Sequence, residues 1–212
     1  MGAIIEVKGV SKAFRGTKVL DDITATFEQG KIHGIVGRNG SGKTLLIKTI
    51  CGFIRPDTGT VIVAGKTVGA DMAYPKGIGA VIEAPGFLPT HSGYANLRYL
   101  ASLQNTIGPE QIRRAIRQVG LDPDDKKHVG KYSMGMKQRL GLAQAIMEDP
   151  DILILDEPMN NLDEQGVEDV RRLLLDLKKN GKTILLATHV AEDIRLLCDT
   201  VHKISGGRMT EQ

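Results

Sequence analysis

Gly37-Arg38-Asn39-Gly40-Ser41-Gly42-Lys43-Thr44 fits the phosphate-loop pattern Gly-x-x-x-x-Gly-Lys-Ser/Thr at every fixed position. Glycines let successive backbone N–H groups turn toward one anion. The lysine reaches the outer phosphates, and the hydroxyl reaches a magnesium ion. The flanks agree. Lys31 to Val36 reads as a buried strand and Leu45 to Ile50 as the helix that follows, whose N-terminal dipole favours phosphate. The stretch predicts a nucleoside triphosphate site in an α/β phosphate-loop NTPase fold.

Working outward, Ile4–Val10 and Ile23–Phe27 alternate apolar and polar residues as half-buried strands do. Pro56-Asp57-Thr58-Gly59 predicts a turn before a strand at Thr60–Val63, and Gly79–Glu83 predicts another strand. Between residues 88 and 148 apolar residues recur at helical spacing, as at Ile112, Ile116 and Val119 and at Leu140, Ala143 and Met147. The continuous apolar runs Ile152–Leu155 and Thr183–Ala187 suit parallel strands covered on both faces. Helices are expected near Val167–Leu177 and Ala191–Leu197, and a closing strand at Val201–Ile204. The expected architecture is one domain over 1–212: an α/β core (1–87 and 149–212) with a mainly parallel sheet, an N-terminal antiparallel β part, and an inserted helical lobe (88–148).

Composition narrows the classes. A net charge of +3 is too weak to imply nucleic acid, and the short basic runs at Lys126-Lys127 and Lys178-Lys179 read as solvated surface. Cys51 and Cys198 have no metal-ligand spacing and read as inert thiols in a reducing compartment. No run approaches the ~18 apolar residues of a membrane span, and the N-terminus does not read as a signal peptide. A soluble chain is expected, so a membrane role would need a partner.

A second motif follows the apolar run: Ile152-Leu153-Ile154-Leu155-Asp156-Glu157-Pro158. In phosphate-loop proteins an acid at such a strand end holds magnesium. Because strand side chains alternate, Asp156 toward the metal leaves Glu157 for an attacking water.

With these motifs in place the chain resembles the ATP-binding subunits of ABC transporters over nearly its whole length. Tyr132-Ser133-Met134-Gly135-Met136-Lys137-Gln138-Arg139 is similar to that family's signature motif. Taken alone, it would be a helix start with Ser133 as N-cap. The resemblance implies that Ser133, Met134, Gly135, Met136 and Lys137 contact the γ-phosphate held by a second subunit, in a head-to-tail dimer that sandwiches two ATP molecules. It implies further that Phe14 stacks on adenine and that Asp163 lies in the D-loop, which couples the two sites. His189, after Thr188, resembles the switch histidine. ATP and Mg²⁺ are the expected cofactors. Gly37 to Leu45 are the expected ATP ligands; Thr44, Asp156 and Glu83 the metal residues; and Glu157, His189 and Lys43 the catalytic set.

Glu83 departs from the family, which commonly has Gln there. A carboxylate adds negative charge beside the γ-phosphate and loses the amide donor. Glu83-Ala84-Pro85-Gly86-Phe87 and Asn96-Leu97-Arg98-Tyr99-Leu100 resemble a subgroup that includes bacitracin-resistance and lantibiotic-immunity exporters. Met134 and Lys137 stand where Gly and Gln are common. Leu45 replaces a hydroxyl residue that commonly contacts the α-phosphate, which implies weaker nucleotide affinity. The expected function is the ATP-hydrolysing motor of an exporter of antimicrobial peptides or drugs. It would sit at the cytoplasmic face of the membrane, with a separately encoded membrane subunit, in a homodimer or beside a related ATP-binding subunit. The alternative is an ABC ATPase acting on ribosomes or DNA. Such chains usually carry paired domains or a long coiled coil, and neither is evident here.

Overall fold

A computed structural model describes residues 2–211. Its strands are β1 (Ala3–Phe14), β2 (Thr17–Glu28), β3 (Ile32–Val36), β4 (Thr58–Val63), β5 (Lys66–Thr67), β6 (Ile78–Val81), β7 (Ile152–Asp156), β8 (Thr183–Ala187), β9 (Thr200–Ser205) and β10 (Arg208–Glu211). Its helices are α1 (Lys43–Ile50), α2 (Gly93–Gln104), α3 (Pro109–Gln118), α4 (Met134–Ile146), α5 (Glu164–Lys179) and α6 (Ala191–Leu197).

Two sheets form. The antiparallel one runs β2-β1-β4-β5, and the other runs β10-β9-β3-β8-β7-β6. In the second sheet every pair is parallel except β9–β10. The apolar runs in β7 and β8 are continuous because both sheet faces are covered. Ile152, Ile154, Leu185 and Ala187 pack with α1 (Leu46, Ile47, Ile50) and with the antiparallel sheet (Ile5, Val7, Phe27). Leu153, Leu155, Ile184 and Leu186 face the other way. They join Leu140, Ala143 and Met147 from the α4 region and Val170 and Leu174 of α5. Residues between 88 and 148 therefore share one apolar cluster with the main sheet. Gly79 permits the closest approach, since a Cβ there would lie 1.9 Å from the Ala145 carbonyl oxygen.

Three expectations need correction. The Pro56–Gly59 turn ends sooner, because β4 already begins at Thr58. Gly59 serves a close backbone contact: its φ is 81°, and a Cβ would stand 2.3 Å from the Gly9 carbonyl oxygen. The strand expected to reach Glu83 stops at Val81. The turn at Gly206-Gly207 is followed by a further strand, β10, which pairs with β9.

Where β3 and β9 pair, a polar relay is buried. His33 Nε2 bonds the Glu28 carbonyl at 2.8 Å, so its Nδ1 accepts from the Thr200 hydroxyl at 2.7 Å. His202 and Phe27 pack alongside. Burial pushes both imidazoles below the ordinary histidine range. The folded chain thus binds these protons less readily than the unfolded one. Their contribution to stability is present above the unfolded value near 6.5 and is lost as pH falls below it. Urea midpoints should decline on acidification through this range. His202→Leu should flatten the decline by about one proton; an unchanged slope would contradict the buried-neutral assignment.

Candidate nucleotide-binding site

The phosphate loop joins β3 to α1, at the carboxyl end of the central parallel strands. Gly40 and Gly42 take φ values of 77° and 107°, which only glycine adopts without strain. Gly37 is required for another reason, because a Cβ there would lie 2.5 Å from both Ser41 Oγ and the Ile204 carbonyl oxygen. Ser41 Oγ is buried with no hydrogen-bond partner among the described residues. An unsatisfied donor at the floor of a loop of this shape fits a phosphate oxygen. Lys43 lies across the loop, its Nζ donating to the carbonyls of Gly37 (2.7 Å) and Arg38 (3.3 Å).

A cavity of about 570 Å³ opens in front of this loop. Loop residues Asn39 to Leu45 line it, together with Glu83, Asp156 and Glu157. Met134, Lys137 and Gln138 of α4 and Asn160 and Asn161 reach the same space. Thr44 Oγ1 donates to Asp156 Oδ2 at 2.7 Å, so the two groups expected at magnesium are adjacent. Both offer the oxygen donors that this ion prefers. Among the described residues no group of three His, Cys, Asp or Glu is assembled that would hold a metal by itself. Phosphate and water oxygens would have to complete a magnesium shell. Burial raises the Asp156 carboxyl above its usual range, against the Thr44 hydrogen bond; neighbouring carboxylates add to the rise.

Glu157 begins a turn in which its own φ is 51°, and its N–H bonds the Ala187 carbonyl. Its carboxylate meets His189 Nδ1, with both oxygens at 2.9 Å. The acid and the histidine, 32 residues apart in sequence, therefore form a pair. Behind them Arg171 of α5 reaches Asp193 of α6. Thr188 and Val190 flank the small space between.

Ser133 caps α4, its Oγ accepting from Met136 N at 3.1 Å. Gly135 packs on the next loop, since a Cβ there would lie 2.9 Å from the Asn161 carbonyl oxygen. Asp163 caps α5 by accepting from Gly166 N at 3.0 Å. Phe14 is half exposed at the end of β1, with Lys12 Nζ 5.6 Å from its ring centroid. It does not line the cavity, whereas Val19 does. Leu45 packs on the core and also borders the cavity. Two contacts escaped the sequence reading. Gln138, buried in α4, donates from Nε2 to the Pro158 carbonyl at 3.1 Å, tying the signature helix to the acidic strand end. Lys48 pairs with Glu83 at 2.8 Å. Gln138 was read only as part of the signature stretch, with no partner assigned, and Lys48 left no local signal.

The ABC transporter family matches residues 20–160, two thirds of the chain, including the loop and the acidic strand end. This chain belongs to the ABC transporter family. It is an ABC ATPase subunit. An uncharacterized ABC transporter ATP-binding protein of Bacillus subtilis (strain 168), YybJ, is 43% identical over 97% of this chain and 94% of its own length. The bacitracin transport ATP-binding protein BcrA of Enterococcus faecalis is 38% identical, matching 100% of this chain and 70% of its own. Among solved structures, an ATP-binding subunit of an ABC transporter superposes with a TM-score of 0.88 at 26% identity, covering 99% of this chain and 89% of that one. The expected fold class is thereby borne out.

Proposed function

We propose that this ABC subunit is the ATP-driven motor of an exporter for antimicrobial peptides or drugs, with Glu157 as the base that activates the attacking water. The observation that carries the chemistry is the contact of His189 with Glu157, a residue that lines the phosphate-loop cavity. Support for the substrate class is the similarity to a bacitracin transport protein, over all of this chain and 70% of that protein, and the Glu83-Ala84-Pro85-Gly86-Phe87 stretch.

In this mechanism the loop N–H groups and Lys43 grip the phosphates. Thr44 and Asp156 would hold Mg²⁺, which when bound neutralises charge on the phosphate oxygens. Glu157 takes a proton from water as its oxygen bonds the γ-phosphorus. The bond from that phosphorus to the β–γ bridging oxygen breaks, releasing ADP and phosphate. His189 orients Glu157 through Nδ1; turned toward the γ-phosphoryl oxygens instead, its N–H would stabilise their charge. Ser133 and Gly135 serve the nucleotide of a second subunit, itself a copy of this chain or a relative, and Asp163 couples the two sites. Phe14 stacks on the adenine from the strand end. Among the described residues no helix is long and apolar enough to cross a membrane. Attachment at the cytoplasmic face would therefore run through a separate integral membrane subunit.

Tagged chain purified from detergent-solubilised membranes should bring down an integral membrane protein. Recovery with ribosomes or DNA in its place would favour the non-transport alternative.

A further inference from the structure

Lys48 stands in the last turn of α1, the helix whose first residue is Lys43. Its Nζ lies 2.8 Å from Glu83 Oε1. Glu83 follows β6, and its backbone is fixed in the left-handed region at φ 57°. The cavity lining holds three carboxylates, Glu83, Asp156 and Glu157, against two ammonium groups, Lys43 and Lys137. Lys48 lies outside that lining and supplies the third positive charge. A polyanion entering the cavity meets balanced charge only while Glu83 stays paired.

We infer that Lys48 is a positioning residue that holds the Glu83 carboxylate off the phosphate-binding end of the cavity and cancels its charge. The ion pair makes a glutamate compatible with nucleotide at a position lining the phosphate cavity. Without the lysine, Glu83 faces Asp156 and the entering phosphates uncompensated. This inference rests on the nucleotide-site reading above, but on binding rather than on hydrolysis or transport.

The test is a calorimetric titration of the full chain with ATP, with magnesium and again in EDTA. The chains compared are the wild type, Lys48→Met, Glu83→Gln and the double variant. Lys48→Met should weaken ATP about three- to fivefold at low ionic strength, the scale of losing one solvent-exposed ion pair. The loss should be larger in EDTA, where no metal offsets the carboxylate. In the Glu83→Gln background, the same lysine substitution should cost less than twofold. An equal loss in both backgrounds would show that Lys48 acts on the helix or the nucleotide directly, and would overturn the inference. So would an unchanged affinity in Lys48→Met. Thermal melts of each variant guard against misfolding, since a structural loss would persist when Glu83→Gln is also present. A wild type that binds ATP without releasing phosphate would count against the hydrolytic mechanism and leave this inference standing.

Discussion

Glu157→Gln should bind ATP at least as tightly as the wild type and lose hydrolysis by about 10²–10⁴-fold, the usual contribution of a positioned base. The substitution keeps size and shape. His189 Nδ1 sits 2.9 Å from both carboxylate oxygens, so an amide can keep one of these contacts. What it cannot do is accept a proton from water. The phosphate loop, Thr44 and Asp156 are untouched, so the ground-state site stays intact. The two measurements are a binding titration and phosphate release under saturating MgATP. Turnover close to wild type would remove Glu157 from the base role.

The second large effect is on stability. Arg171 places Nε 2.9 Å and Nη2 2.6 Å from Asp193 Oδ1, with Glu168 on Nη1 at 2.6 Å and Glu192 sharing Nη2 at 3.0 Å. Asp193 is 1% exposed. Burial opposes the Arg171 charge, but the three carboxylates outweigh it and raise its pKa. Removing one partner of a buried pair leaves the other charged and unpaired. Arg171→Ala should therefore cost about 3–5 kcal/mol, a large share of the ~5–15 kcal/mol that stabilises a domain. The melting temperature should drop by about 10 °C. Pairing the change with Asp193→Leu should recover much of the loss, since no orphaned carboxylate remains. A loss under ~1 kcal/mol in Arg171→Ala would mean that water reaches Asp193 and solvates it. Because the pair ties α5 to α6 behind Thr188 and Val190, milder variants should also disturb the His189 contact.

Much of this was legible in the sequence because it is local. The loop at Gly37–Thr44 and the acids at Asp156-Glu157 are contiguous. The apolar runs of β7 and β8 announce strands covered on both sides. Ser133 and Asp163 are caps whose partners lie three residues on. Legibility ended where the chain's return sets the chemistry. Gly59 read as a turn residue, yet its use is a close crossing with Gly9, which no local pattern encodes. Glu83 read as a carboxylate free to approach a metal. Its placement against Lys48 depends on α1 and the β6 end meeting across 35 residues. The Arg171 cluster joins two helices, and each half alone looks like ordinary surface charge. Phe14 carried an adenine role by resemblance. Its position at a strand end, outside the cavity, leaves that role to the nucleotide's own orientation.

The central claim is that ATP is hydrolysed at a site completed by a second subunit's Ser133 and Gly135. The most direct test mixes two inactive variants and measures phosphate release. Ser133→Glu keeps its own phosphate loop but puts a negative charge where the partner's γ-phosphate would dock. Lys43→Ala keeps the signature but loses the phosphate grip. Neither should turn over alone. The mixture should regain about a quarter of wild-type activity, since half of randomly formed two-fold pairs carry one complete site of two. Wild-type turnover by the Ser133→Glu chain alone, or a mixture as inactive as its parts, would contradict the account.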